Sequence, residues 1–350
     1  MYDQLKFAAR RSLKRLVVHA GLEVINLSGA SAFLPSAAGR GVIFALHHVR
    51  PVRNHDFEPN KHLSITPAFL EEAIVTARQC GLQPVHLEDL PNALADSPGT
   101  QKFMCFTLDD GYRDNKDYAG PVFCKHGVPY TVFVVPGFVE RTRTMWWETA
   151  EEFVRATTSF KFDFGSGTEI VKASSRLEKL VAFKRIVGFF QEADEDVALA
   201  RLDLAAAAVG VDPVSIVDRE AMTADELNDL LADPLARLGV HTMTHPNLAR
   251  VDACRLKQEL QQSAIRIGEY TGSPPKTLAY PYGGRNAVTN REIKAATETG
   301  FSLALTTRHG VLKSTSMEMP TGLPRISLNG NYQRARFVKA LASGVAFDLT

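Results

Sequence analysis

Two adjacent carboxylates, Asp109 and Asp110, close the apolar run FMCFTL, and two histidines, His241 and His245, follow the apolar run LGV. Parallel strands of α/β folds stay buried while their carboxyl ends open into the crevice where ligands bind, so polar residues just past such runs are positioned for chemistry. Read alone, Asp-Asp-Gly is an ordinary turn, and histidines four apart are an ordinary helix face. Read together, a carboxylate and two imidazoles make a three-ligand set for a divalent cation, with positions left for water. The spacing predicts that both imidazoles lie on the same side of a helical turn.

Two further stretches have the same placement. In LAYPYGGRN, the residues from Tyr280 to Gly284 read as a rigid turn after a strand, able to present a backbone N–H to a developing oxyanion. In FALHHVRP, His47 and His48 end the first strand. Only one of them can face the crevice, because successive strand side chains alternate.

The elements that must carry these residues are visible from Gly41 onward. Apolar runs such as GVIFALHH, KFMCFTLDD, YTVFVV, RLGVH, TLAYP, FSLALTT and LPRISL predict strands. Helix signals lie between them. Thr66-Pro67 opens one helix that Gly81 closes, Thr223 with Glu226 and Thr289 with Glu292 have capping-box spacing, and Leu256, Leu260, Ala264 and Ile267 form a core-facing stripe. The alternation predicts an α/β fold with a parallel sheet, open or closed into a barrel. About a hundred residues separate the strands near Val135 and Val240, which predicts an insertion at about 141–222 with a hairpin, FKFDFGSGTEI, and two charged helices.

Composition narrows the function classes. Forty basic residues against 39 acidic leave a charge of +1 over 350 residues, so no global field points to nucleic acid. No run of about 18 apolar residues predicts a membrane span. Four cysteines without a CxxC pair read as free thiols in a reducing, cytoplasmic setting, with Cys105 and Cys124 packed as small hydrophobes. Residues 1–40 read as an N-terminal arm ahead of the 41–350 domain. Within the arm, residues 2–26 have the pattern of a basic amphipathic helix, with Leu5, Leu13, Leu16, Val17 and Leu22 against Lys6, Arg10, Arg11, Lys14 and Arg15. Such a helix lies either on anionic lipid, as a peripheral contact at the inner membrane face, or on the protein's own surface.

TLDDGY, HTMTH and AYPYG, in that order, resemble the first three motifs of the metal-dependent polysaccharide deacetylases, the group that includes chitin, peptidoglycan and nodulation-factor deacetylases. The resemblance implies an irregular (β/α) barrel of about seven strands, with a helical insertion here. It makes Asp109 the general base, Asp110, His241 and His245 the metal ligands, and the Tyr282 amide an oxyanion donor. Thr242 matches the hydroxyl residue after the first histidine. The arginine that begins the usual third motif is replaced by Ala279, and Arg325 in LPRISL is the candidate for its guanidinium. The usual late histidine is absent; circularly permuted relatives carry it on the first strand, which makes His47 the candidate acid and His48 the fallback. The implied cofactor is a divalent cation, Zn2+ first, with Ni2+, Co2+ or Fe2+ as alternatives.

The expected activity is removal of an N-acetyl group from an amino sugar in an oligosaccharide, polysaccharide or lipid-linked glycan. Trp146 and Trp147 are candidates to stack on a sugar face. Two other readings stay open: hydrolysis of a non-sugar amide, and a catalytically silent glycan-binding protein.

Overall fold

The structure, a computed structural model, describes residues 16–28 and 34–348. Its strands in chain order are β1 (Gly41–Leu46), β2 (His48–Val49), β3 (Ser64–Ile65), β4 (Leu82–Pro84), β5 (Lys102–Leu108), β6 (Tyr130–Val134), β7 (Ser159–Asp163), β8 (Thr168–Lys172), β9 (Ala236–Val240), β10 (Thr277–Ala279), β11 (Leu303–His309) and β12 (Leu323–Ser327). β1 pairs with β12 on one edge and with β5 on the other, so the parallel order β1-β12-β11-β10-β9-β6-β5 closes on itself. The result is a seven-stranded parallel barrel. β4 pairs only with the first half of β5 and β6 with the second half, which leaves β4 as a short flank outside the ring.

β1 and β6 are buried along their whole length, as expected of strands covered on both faces. Ile43, Phe103, Cys105, Phe133, Ala279, Leu303, Leu305 and Leu323 form one cluster, while Val42, Phe44, Met104, Phe106 and Val132 belong to the larger cluster beneath the helices. The strand period of two therefore sorts barrel interior from barrel exterior. Extending the parity of Phe103 and Cys105 along β5 points Thr107 and Asp109 inward, and extending that of Leu323 along β12 points Arg325 inward. The same rule on β1 carries His47 inward and His48 outward.

The helices follow their sequence signals. Thr66 Oγ1 caps Pro67–Gln79, Thr223 and Thr289 both form complete capping boxes, and Gly300 ends its helix at φ 101°. The stripe of Leu256, Leu260 and Ile267 is buried on Ala253–Thr271. The expected hairpin is β7–β8, antiparallel from Ser159↔Lys172 to Asp163↔Thr168. It packs with helices Arg176–Glu192 and Glu195–Ala207 around a separate phenylalanine-rich core that includes Phe153, Phe160, Phe162, Phe183 and Phe189. β2, β3 and β4 were not foreseen; at two or three residues each they are too short for a periodic signal.

The basic half of the expected N-terminal amphipathic helix, residues 1–15, lies outside the described residues. The helix at 16–28 docks Leu22 and Ile25 against Phe337 and Ala340, and Arg336 grips Glu23 through Nε and Nη2 at 2.6–3.0 Å. Leu16, Val17, Val24 and Leu27 stay exposed. The single apolar face expected of Leu16, Val17 and Leu22 is thus split, with Leu22 turned to the protein. The four cysteines are free thiols, and Cys124 is exposed rather than packed as expected.

Candidate metal and catalytic site

The barrel's carboxyl end gathers the predicted residues. Past β5 the chain turns through positive φ at Asp110 (72°) and Gly111 (68°), and both Asp109 and Asp110 come within electrostatic range of His241. Asp109 is fully engaged: Arg325 donates from Nη1 to Oδ1 and from Nη2 to Oδ2, both at 2.7 Å. Arg325 is itself buried, and two further donors go to Thr107 Oγ1 at 3.2 Å and the Thr306 carbonyl at 2.9 Å. A planar fork with four of its five N–H donors placed, two of them on a carboxylate, is what makes a buried guanidinium tolerable. Burial, the largest single influence, would raise the Asp109 pKa, but Arg325, together with His241 and His47, outweighs it and holds the carboxyl below its ordinary value.

Asp110 has no such partner. Its Oδ1 lies 3.4 Å from Nε2 of His241 and 3.4 Å from Nε2 of His245, yet it makes no hydrogen bond of acceptable geometry and is buried. One ligand atom from each of these three residues lies within 4.8 Å of the others. His241 donates from Nδ1 to the Ala279 carbonyl at 2.7 Å, which fixes its tautomer and leaves the Nε2 lone pair aimed inward. Burial lowers the His245 pKa to about 3, so this imidazole is neutral, the form that ligates a metal. A buried, unpaired carboxylate oxygen facing two nitrogen donors fits a divalent cation, and these three residues would hold it.

The segment carrying the histidines is not the expected helical turn. Thr242 and His245 take positive φ, 63° and 59°, and Thr242 Oγ1 accepts the His245 N–H at 3.0 Å. Thr242 is buried and shapes the loop. Glu259, from the helix behind, accepts the N–H groups of Met243 and Thr244, each at 2.9 Å. The sequence signal for it was a carboxylate on the buried side of an apolar stripe, which escaped notice. Of the five described non-glycine residues with positive φ, four are Asp110, Thr242, His245 and Tyr282. Such conformations persist only where surrounding contacts impose them, and they concentrate at functional sites.

Tyr282, at φ 61°, follows β10 in the Pro281–Gly283 turn. Its carbonyl accepts from Thr307 Oγ1 at 2.7 Å, its ring centre is 5.2 Å from that of His245, and its hydroxyl accepts from Trp146 Nε1 at 3.1 Å. Trp147 is buried, with its ring centre 4.9 Å from that of His245 and Nε1 donating to the Tyr112 hydroxyl at 2.7 Å. Trp147 is therefore a wall behind the ligand, and Trp146 is the partly exposed member of the pair.

The adjacent histidines part company. His47 is in electrostatic range of Asp110, Asp109, Arg325 and His241, with burial the largest influence and its pKa lowered. Its imidazole has no hydrogen-bond partner among the described residues. His48 is buried between Asp114 at 2.6 Å and Glu148 at 3.2 Å. Burial opposes its charge, but the two carboxylates raise its pKa to about 9. That occupancy removes His48 as the fallback acid. Beside the site, Glu195 accepts the Asn247 N–H at 3.1 Å, and burial raises its pKa to about 7. Neither the partners of His48 nor Glu195 could be read from the sequence, since they come from the insertion or from unrelated turns.

The fold and the cluster define the class: a seven-stranded (β/α) barrel with an Asp/His/His cluster at its carboxyl end that could hold a divalent cation. Residues 205–303 match the family model for polysaccharide deacetylase. No curated protein matches the chain. Among solved structures, the deacetylase PplD of Streptococcus pyogenes is similar at 14% identity and TM-score 0.52, covering 83% of this chain and 92% of that one. IcaB from Ammonifex degensii is similar at 18% identity and TM-score 0.50, covering 86% and 97%. A polysaccharide deacetylase from Bacillus anthracis, described as putative in its structure, gives 14%, 0.53, 87% and 68%. At these identities the structures speak to the fold. The matched stretch carries His241, His245 and Tyr282 of the site described above.

Proposed function

We propose that this protein removes the acetyl group from an N-acetylated amino sugar in a linked glycan, by metal-dependent attack of water. The observation that carries the reading is the division of labour between neighbouring carboxylates. Asp109 is held ionised by Arg325 and reaches no imidazole, while Asp110 has a bare oxygen turned to two imidazoles.

Amide hydrolysis has two difficulties, a weakly electrophilic carbonyl and a poor amine leaving group. A divalent cation held by Asp110, His241 and His245, with zinc the first choice, lowers the pKa of water and polarises a carbonyl. Asp109 accepts the proton that water gives up as its oxygen bonds to the carbonyl carbon. Arg325 keeps that carboxylate oriented and deprotonated. The Tyr282 N–H donates to the oxyanion, a type of contact whose loss costs about 3 kcal/mol of barrier. His47, inward-facing at the end of β1 beside the β5 strand that carries Asp109, would in its protonated form give a proton to the nitrogen as the C–N bond breaks, leaving acetate and a free amine. Thr242 and Trp147 hold the second histidine in place from two sides.

The test is acetate release from N-acetylglucosamine oligomers by the purified protein, before and after chelation and after adding back Zn2+, Ni2+, Co2+ or Fe2+. Loss on chelation and recovery with a divalent ion is expected. Release from small amides but from no sugar would favour the non-sugar amidase, and metal-dependent binding without release would favour the silent binder.

We also place the protein in the cytoplasm, at the periphery of the inner membrane face. The exposed side chains of Leu16, Val17, Val24 and Leu27, preceded in sequence by Lys6, Arg10, Arg11, Lys14 and Arg15, suit anionic lipid. Among the described residues no helix is long and apolar enough to cross a membrane. Removing residues 1–28 should abolish co-sedimentation with vesicles containing anionic lipid; unchanged partitioning would remove this placement.

A further inference from the structure

The loop that carries His245 lies between β9 and the short helical turn Leu248–Arg250. Pro246 has no N–H, and the amides of Met243, Thr244, His245 and Asn247 all donate to side chains rather than to backbone carbonyls. Those of Met243 and Thr244 go to Glu259, that of His245 to Thr242 Oγ1, and that of Asn247 to Glu195 Oε2 at 3.1 Å. The loop therefore has the shape that its side-chain acceptors give it. Thr242 belongs to the loop and Glu259 to the helix Ala253–Thr271 behind it, but Glu195 is supplied by the insertion.

Glu195 is not an isolated contact. The turn between the insertion helices Arg176–Glu192 and Glu195–Ala207 is gripped by residues on either side of it. Arg250 donates from Nη1 to the Phe190 carbonyl at 2.6 Å and from Nη2 to the Ala193 carbonyl, which covers the carbonyl end of the first helix. Asp196, in the first turn of the second helix, accepts from Arg143 Nη1 at 2.5 Å and from both terminal nitrogens of Arg255. Arg255 continues inward: its Nη2 is 3.5 Å from Thr244 Oγ1 and its Nε is 3.6 Å from Glu259 Oε1. Thr244 Oγ1 in turn donates to Glu259 Oε1 at 2.5 Å. Two routes thus lead from the insertion to the loop, one directly through Glu195 and one from Asp196 through Arg255 and Glu259. Partly exposed ion pairs such as those of Asp196 add little to stability, and the insertion has a core of its own, so these contacts are not what holds it folded. What they do fix is geometry, since the positive φ values of Thr242 and His245 persist only where surrounding contacts impose them.

We propose that Glu195 and Asp196 are positioning residues for the cation site: the first turn of an insertion helix sets the aim of His245, so the insertion governs how tightly the divalent ion is held. The proposal rests on the cation site described above and not on the sugar chemistry. A ligand loop shaped by outside acceptors relaxes when one of them is removed. The direction of the imidazole then spreads, and the affinity for the ion falls. Removing groups that orient metal ligands typically costs about 10- to 100-fold in affinity.

The full-length protein, stripped of metal, is titrated with Co2+ against a chromophoric chelator, and the visible absorption of the bound ion is recorded. The set is wild type, Glu195→Ala, Glu195→Gln, Asp196→Ala and, as control, Glu169→Gln. Glu169 pairs with Arg185 at the surface of the insertion and touches none of the loop's partners. The Co2+ dissociation constant should rise about tenfold in Glu195→Ala and in Asp196→Ala, and their absorption bands should shift even at saturating Co2+, because the imidazole is misaligned. Glu195→Gln keeps an acceptor oxygen for the Asn247 N–H, so it should stay within about twofold of wild type, as should Glu169→Gln. Asp196 is partly exposed, so its variant keeps the test standing if Glu195→Ala does not fold. Unchanged affinity and spectrum in Glu195→Ala and Asp196→Ala, or an equal loss in Glu169→Gln, would overturn the positioning role while leaving the cation site intact. A wild type that binds no Co2+ would overturn both.

Discussion

His47 and His48 are neighbours in sequence and opposites in the fold. One faces the barrel mouth with Asp109, Asp110 and Arg325 around it; the other is clamped between Asp114 and Glu148 beneath the Tyr112 ring, whose centre is 3.5 Å away. Both surroundings are rich in buried charge, so charge alone does not mark a site. The difference is in what is left over. Around His48 both ring nitrogens and both carboxylates have partners, and Glu220, in electrostatic range of the cluster, is itself paired with Arg50 and Arg53. Around His47, a carboxylate oxygen and the Nδ1 of His245 are buried without any. Bonding capacity that folding leaves unused is available to a ligand, and its exhaustion elsewhere indicates a structural role.

Substitutions should separate the two clusters in kind as well as degree. The largest effect is expected from Asp110→Ala, which should lower bound metal from about one equivalent to a trace and acetate release by about 10³-fold or more, measured by elemental analysis and assay of the same sample. Asp109→Asn should keep its metal and lose about 10² to 10⁴-fold in turnover, because the proton acceptor is gone while the cation ligands are untouched. Retained turnover in Asp109→Asn would break the assignment of the base. His47→Ala should also retain metal and lose about 10²-fold, chiefly in kcat. His48→Ala should instead leave metal content near wild type and lower unfolding free energy by about 3 kcal/mol, since it strands buried carboxylates. If His48→Ala lost metal while His47→Ala lost stability, the comparison would be reversed.

Much of this was legible from the residues. The strand runs were apolar enough to be recognised, and the motifs at their ends placed Asp109, Asp110, His241, His245 and Tyr282 on one rim. Arg325 could be named because Ala279 left a guanidinium missing, and the two-residue strand period was enough to say that only one of His47 and His48 could face the site. Backbone conformation was not legible. Four-residue spacing suggests a helix, yet Thr242 and His245 adopt left-handed φ because Glu259 and Thr242 satisfy the amides that a helix would have paired. Roles that depend on partners from distant segments were also hidden. Trp146 and Trp147 are adjacent, but only contacts with Tyr282 and Phe190 on one side and Tyr112 on the other show which is the partly exposed member and which is buried support.

The smallest effect tests the structural half of the comparison by pH. In the unfolded chain His48 titrates near its ordinary value of 6.5, and in the fold its pKa is raised to about 9. A group whose folded pKa is raised stabilises the protein while both states are protonated, so the contribution is complete below about pH 6.5. It declines as pH rises towards 9 and is gone above that. The upper bound is on the order of 3 kcal/mol, and the contribution should be smaller wherever the Asp114 side opens to water. The measurement is the difference in denaturant unfolding free energy between wild type and His48→Gln, taken at pH 6 and again at pH 9.5. Groups common to both proteins cancel in that difference. The gap should narrow at the higher pH; a gap that is constant or widens would mean that His48 is neutral in the fold, and that the cluster is held by hydrogen bonds rather than by a buried charge.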